Sequence, residues 1–272
     1  MYNSAFARHY DALTANVNYS ARARYFDRII NKVNRGRGGN ILLDLACGTG
    51  SLSWRFAAMG YQVIGVDASP DMLAVAAAKA GEICLPAGGV PPLFLCQAMQ
   101  GLDLYGSVDA CVSALDSVNH LPDFSALKAT FARVALFLAP GGVFVFDANT
   151  RYKHKSILAD NAFVYKVGGV VCLWQNTYHT KNDRVDIDLD FFAPCGGGFY
   201  QRNTQRFSQR VFTHRQLRGA LSSAGLNLLA VYEENTLRPP GKCAQRVVYL
   251  AQKPAVDFGG KIHRTRRILS PK

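Results

Sequence analysis

No apolar run in this 272-residue chain approaches the roughly 18 residues that cross a bilayer. A helical membrane span is therefore excluded. The opening Met1-Tyr2-Asn3-Ser4-Ala5-Phe6-Ala7-Arg8-His9-Tyr10 lacks the long apolar core of a secretory signal. The seven cysteines contain no Cys-x-x-Cys pair, and the six histidines show no ligand spacing. No metal site is expected. Several cysteines fall in apolar strands, where a free thiol behaves as a small hydrophobe. A reducing, cytoplasmic compartment is the expectation. Acids are scarce, 19 against 31 lysines and arginines, for a net charge of +12. Part of the excess lies in the tail, where Lys253, Lys261, Arg264, Arg266, Arg267 and Lys272 face only Asp257. Another part lies in Arg22, Arg24, Arg28, Lys32, Arg35 and Arg37. A basic face can bind nucleic acid. No zinc knuckle, recognition helix or aromatic-rich RNA motif accompanies it, so both runs read as solvated surface or flexible tail.

Hydrophobic residues make up 49% of the chain, enough for one large domain or one domain with an insertion. Ile41-Leu42-Leu43-Asp44-Leu45-Ala46-Cys47-Gly48-Thr49-Gly50 joins an apolar run to a glycine turn, and a helical pattern follows. This reads as a buried strand, a tight loop and a helix N-terminus, the layout that cradles a nucleotide-like ligand. Val63-Ile64-Gly65-Val66-Asp67 is a second strand ending in an acid placed to accept hydrogen bonds from ribose hydroxyls. A dinucleotide fingerprint is Gly-x-Gly-x-x-Gly, but Ser53 stands at the third glycine. Further strands are read at Leu93–Met99, Val108–Ser113 and Val143–Asp147, the last after the turn Ala139-Pro140-Gly141-Gly142. Strands alternating with helical segments imply βαβ units and a parallel sheet.

The chain divides into helices over the ligand mouth (1–40), a Rossmann-like core (41–150), an antiparallel β insertion (151–212), a C-terminal completion of the sheet (213–253) and a basic flexible tail (254–272). The fold class is α/β, a doubly wound sheet of about seven strands with the insertion before the last helix. In Val185-Asp186-Ile187-Asp188-Leu189-Asp190-Phe191 the apolar set faces one way and three acids the other. Arg202, Arg206 and Arg210 share a face of the next strand. Folding about Gly196 sets Asp190 opposite Arg202 and Asp186 opposite Arg206. The arginines then read as cross-strand partners rather than as a phosphate clamp. Thr213 caps the last helix and Gly225 closes it.

The Asp-x-Ala-x-Gly-x-Gly form at Asp44–Gly50 resembles motif I of the class I S-adenosylmethionine-dependent methyltransferases, and so does the Ala-Pro-Gly-Gly turn. The opening Phe6–Leu13, the segment Leu115–Leu121 and the insertion narrow the likeness to the small-molecule branch. That branch includes bacterial methyltransferases of unassigned substrate and amino-sugar N-methyltransferases. The resemblance covers about Tyr2 to Lys253. It implies S-adenosylmethionine as cofactor and methyl transfer to a small acceptor, at nitrogen before oxygen. The alternatives are an RNA or protein methyltransferase using the basic surface, and a non-catalytic cofactor-binding protein. It also leaves room for a homodimer through the insertion.

Layout and resemblance together assign the site. Asp44 lies near the methionine end, and Ala46, Gly48 and Gly50 let the backbone approach. Asp67 takes the ribose, Ala68 and Met72 flank the adenine, and Gln97, Ala98 and Met99 contact it. Tyr10 and Tyr19 pack on the methionine end. Leu115 and Asp116 face cofactor and acceptor, and His120 is the candidate base. Two departures stand out. Ala98 cannot accept a bond from the adenine amino group, as an acid there would. Gln205-Arg206-Phe207 occupies the place of a Glu-x-His in relatives.

Overall fold

The computed structural model describes residues 2–34, 39–256 and 262–263. The apolar runs become five parallel strands: β1 (Ile41–Leu45), β2 (Gln62–Asp67), β3 (Leu93–Cys96), β4 (Val108–Ser113) and β5 (Leu138–Asn149). Their near-continuous hydrophobicity follows from burial on both faces. Leu43, Cys111, Phe144 and Phe146 enter one core with helices α5 (Phe124–Phe137) and α6 (His214–Ser223). Leu42, Val112, Val143 and Val145 enter the other with α2 (Tyr19–Asn34) and α3 (Ser51–Ala58).

Strand β10 (Asn227–Glu233) pairs antiparallel with β11 (Arg246–Gln252), which pairs antiparallel with β5. The sheet order is β10-β11-β5-β4-β1-β2-β3. The winding reverses at β1, so a crevice opens beyond the C-terminal ends of β1 and β4, where ligands bind in such sheets. Strand β5 starts earlier than its apolar core suggests. It pairs Leu138 with Val108, then slips at the Pro-Gly-Gly turn and resumes with Val143 opposite Ala110.

The insertion is a meander, β6 (Ala162–Val167), β7 (Val170–His179), β8 (Arg184–Gly196) and β9 (Phe199–Arg210). Val185, Ile187, Leu189 and Phe191 bury against Phe6 and Ala7 of α1 (Ser4–Leu13) and Met72 of α4 (Pro70–Ala78). The register differs from the expected one. The hairpin turns at Gly197 and Gly198, both at positive φ (57° and 79°), as a primed two-residue turn requires. Every pairing therefore moves, and Asp188, not Asp186, lies opposite Arg206. Arg202 still reaches Asp190, diagonally, at 2.8 Å.

A π-turn at Lys153–Leu158 leads into the insertion, a feature without a sequence signal. Thr213 and Gln216 form a reciprocal capping box on α6, and Gly225 follows at φ 75°. Ala255–Val256 pairs with Ile262–His263. The rest of the basic tail, with Arg35 and Arg37, lies outside the described residues. Among those described, no helix is long and apolar enough to cross a membrane.

Candidate active site

The glycine loop and the acid after β2 are locked together by backbone amides. Asp67 Oδ2 accepts from the Gly48 amide and Oδ1 from the Ser69 amide, each at 2.9 Å. Ser69 in turn accepts the Met72 amide and caps α4. Burial raises the Asp67 carboxyl above its ordinary range, and these amides oppose the rise. Each oxygen keeps a second lone pair. A Cβ on Gly48, at φ 55°, would meet nothing within 4 Å, so the loop presents bare backbone there. A carboxylate beside bare backbone suits a ribosyl ligand.

Asp44 is 2% exposed and accepts from Ser53 Oγ at 2.6 Å. Burial pushes its carboxyl up to about 6, against the Ser53 bond. The serine in the third-glycine place therefore supports the strand acid. Gly50, expected to let the backbone approach the ligand, does not line the cavity. A Cβ there would lie 2.8 Å from Ala76 Cβ and 2.9 Å from Phe94 Cζ, so its smallness serves packing.

The cavity has a volume of about 510 Å³. Tyr10, Tyr19, Asp44, Ala46, Gly48, Asp67, Ala68, Met72, Gln97, Ala98, Met99, Leu115 and His120 all line it. Gln97 spends both ends of its amide on the Asp103 backbone, at 3.0 and 2.8 Å, and so fixes the loop carrying Ala98 and Met99. Tyr19 shares a 2.9 Å hydrogen bond with Thr14, which ties α2 to the end of α1.

Asp116 stands behind the cavity wall instead of lining it. Leu115 and Asp116 are consecutive left-handed residues, φ 58° and 55°, a strained conformation for side chains with a Cβ. Asp147, fully buried, accepts both of their amides. The Asp116 carboxylate is bound by Arg246 and Gln209. Burial acts to raise its pKa, but Arg246, Lys153, His120 and Gln209 together hold it below the usual range. Arg22 corrects the reading of the first basic run as solvated. It is 8% exposed and bound to Asp147 and Glu234, and Glu234 also binds Arg246.

His120 lines the cavity beside this network. Gln209 Oε1 accepts from Asn149 at 3.2 Å, which turns its amide nitrogen toward Asp116 and His120 Nε2, the latter at 3.1 Å. That assignment leaves Nε2 as acceptor and Nδ1 carrying the proton, with Tyr2 OH 3.4 Å away. Burial lowers the His120 pKa against the pull of Asp116 and Asp67, so the ring is neutral near pH 7. Phe207 packs beside it with ring centroids 5.2 Å apart. Sequence reasoning missed Gln209 and Tyr2. The available signal was parity: 205, 207 and 209 are inward positions of β9, and two carry amides.

A doubly wound sheet with an antiparallel strand beside β5, a bare glycine loop at its switch point and an acid after β2 make the layout of a nucleoside-binding α/β protein. Comparison with known proteins gives the family. Residues 42–142 match the family described as a methyltransferase domain. YqeM of Bacillus subtilis (strain 168), which bears a methyltransferase name without a substrate, is 30% identical over 254 residues, 93% of this chain and 98% of that one. A crystal structure of an S-adenosylmethionine-dependent methyltransferase from Clostridium acetobutylicum superposes with a TM-score of 0.79 at 29% identity, covering 91% of this chain and 97% of the other. The dTDP-3-amino-3,6-dideoxy-alpha-D-glucopyranose N,N-dimethyltransferase of Streptomyces fradiae is 25% identical over 69% of this chain and 70% of its own. The chain belongs to the S-adenosylmethionine-dependent methyltransferases.

Proposed function

We propose that this enzyme methylates a small-molecule acceptor at nitrogen, in the part of the cavity bounded by His120, Phe207 and Gln209. The observation that carries the reading is the cavity's place between the cofactor loop and the insertion. The cavity runs from the glycine loop to β9 of the insertion, and α1 is fastened at both ends. Asp11 accepts from Thr49 at 2.6 Å and pairs with Lys79 at 2.6 Å. The Asn3 amide donates to Gln205 Oε1 at 2.9 Å. A cleft of this size, roofed by α1, suits a metabolite better than a folded RNA or protein. The amino-sugar dimethyltransferase of Streptomyces fradiae supports nitrogen as the acceptor atom.

Asp67 would hold the ribose hydroxyls, Ala68 and Met72 the adenine edge, and Tyr10 and Tyr19 the methionine end. S-adenosylmethionine bound there supplies a methyl group on a sulfonium, a leaving group already activated. The protein's share is alignment and exclusion of water. The acceptor amine must be unprotonated. His120, neutral and hydrogen-bonded through Nε2, takes the proton when the amine displaces the Gln209 amide. Asp116 acts as a positioning residue through Gln209.

The test offers methyl-labelled cofactor to metabolite, RNA and protein fractions from a strain lacking the enzyme. Label should enter the low-mass fraction. Label confined to RNA or protein would overturn the reading.

A further inference from the structure

Strand β9 turns Gln205, Phe207 and Gln209 inward, and all three line the cavity. Gln205 is already engaged. Its Oε1 accepts the Asn3 amide at 2.9 Å and its Nε2 donates to the Arg206 carbonyl at 3.1 Å. Phe207 is half-buried, so part of its ring surface faces ligand space. Its neighbours on this wall are rings. His120 lies 5.2 Å away, tilted by 39°, and Tyr2 lies 5.4 Å away, edge-on at 88°. Leu121 and Pro122, next to His120 in the chain, line the cavity too.

Carboxylates are scarce here. Among the described residues, Asp44 and Asp67 are the acids that line the cavity. Asp44 is held by Ser53, and Asp67 by the Gly48 and Ser69 amides. Asp116 stands behind the wall, occupied by Arg246 and Gln209. An aliphatic amine arrives as an ammonium ion with a pKa of about 10. Burying that charge without a counter-ion is costly. The His120 ring, already below its ordinary pKa through burial, is too weak to take the proton. A gap of about four pKa units sets that transfer roughly ten-thousandfold the wrong way. An aryl amine or an N–H azole fits on both counts. It is uncharged at neutral pH, and its ring has aromatic faces and edges to pack on. Once methylated, its nitrogen is acidic enough for a neutral imidazole to accept the proton.

We propose that the methyl acceptor is a planar aromatic molecule that stacks on Phe207 and presents an uncharged aryl-amine or azole N–H nitrogen to His120. The proposal rests on the small-molecule, nitrogen-acceptor reading and sets its substrate class. The nitrogen lone pair forms the new N–CH3 bond as the C–S bond breaks toward sulfur, and the N–H proton passes to His120 Nε2.

The first test isolates the low-mass product formed when enzyme and methyl-labelled cofactor meet extract from a strain lacking the enzyme. The product should carry an aromatic chromophore, and the resonance of its labelled N-methyl group should titrate only below neutral pH. A product without a chromophore, or an N-methyl resonance that titrates in the alkaline range, overturns the proposal and leaves the small-molecule reading intact. Label that enters no low-mass product overturns that reading first, and the proposal with it. The second test assays variants with the acceptor purified from the same strain. Phe207→Leu stays apolar but loses the ring. It should raise KM about tenfold, the upper scale of an aromatic pair, while Phe207→Tyr stays near wild type. Unchanged S-adenosylhomocysteine affinity shows that both variants are folded. Equal KM in wild type and both variants overturns the stacking on Phe207.

Discussion

Asp44 shows how a motif residue can oppose stability. Its folded pKa of about 6 lies above the ordinary 3.8. Burying the ionised form therefore opposes folding above pH 6, and the penalty disappears as pH falls through that value toward 3.8. Two units correspond to about 3 kcal/mol at most. Asp44→Asn keeps an acceptor for Ser53 and removes the charge. It should raise unfolding free energy by about 1–3 kcal/mol at pH 7.5, with the gain shrinking toward pH 4. Urea denaturation at the two pH values checks this, and a variant equally destabilised at both would refute it. The Asp67 carboxyl is raised by burial too, but loop amides oppose the rise and orient its carboxylate toward the cavity. Asp67→Ala should weaken S-adenosylhomocysteine binding by about 1–3 kcal/mol, the cost of charge-assisted bonds. Calorimetry reads it directly, and unchanged affinity would remove Asp67 from the cofactor site.

The element hardest to anticipate is the π-turn after β5. His154 accepts the Ala159 amide at its carbonyl, 2.7 Å, and donates its own amide to the Thr150 carbonyl at 3.1 Å. Its ring is fully buried and neither nitrogen has a partner. Burial drives its pKa down to about 4. The unfolded chain takes up this proton below about pH 6.5, so the contribution to stability is lost as pH falls from 6.5 toward 4. His154→Phe should flatten the fall in urea midpoint across that window, whatever it does at pH 7.5. A slope identical to wild type would show that the ring is hydrated or paired in solution. Nothing in Arg151-Tyr152-Lys153-His154 marks this turn, because a π-turn needs no glycine or proline. The parallel strands were legible because burial on both faces writes unbroken apolar runs with acids at their ends. The β8–β9 alternation was legible for the same kind of reason, but its register was not. Three glycines in a row leave the turn position open, and only positive φ at Gly197 and Gly198 settles it. At the site, the loop and Asp67 were readable from their motif. Arg22, Asp147, Glu234 and Arg246 were not, since a charged residue destined for a buried network looks in sequence like one on a solvated face. Gly50 packs against Ala76 and Phe94, and Asp116 is tied into the ion-pair network, contacts that no sequence pattern marks.

At the scale of the molecule, α1 is the piece that joins the cofactor loop to the insertion. Phe6 packs on Phe191 and Phe207, with centroids 6.1 and 6.4 Å apart, while Asp11 binds Thr49, Ser51 and Lys79. Helix α1 therefore bridges the glycine loop and the inner face of the insertion. S-adenosylhomocysteine at 100 times its dissociation constant should add about 2.7 kcal/mol to stability. For a chain of this size that raises the melting temperature by roughly 5–10 °C. Asp11→Ala removes the acceptor shared by two loop hydroxyls and the Lys79 ammonium, but it leaves the aromatic packing of α1 in place. The unliganded melting temperature should move by only a few degrees, because a partly exposed ion pair contributes about 0–1 kcal/mol. The dissociation constant for S-adenosylhomocysteine should rise about tenfold, close to 1.4 kcal/mol, because the loop and lid must then be ordered by the ligand itself. Thermal shift at a fixed ligand concentration, paired with calorimetry, separates the two effects. If affinity is unchanged, α1 is a permanent wall of the cavity, and the Asp11 contacts serve folding alone. A loss of affinity with little loss of unliganded stability identifies Asp11 as the latch that couples the lid to the cofactor loop.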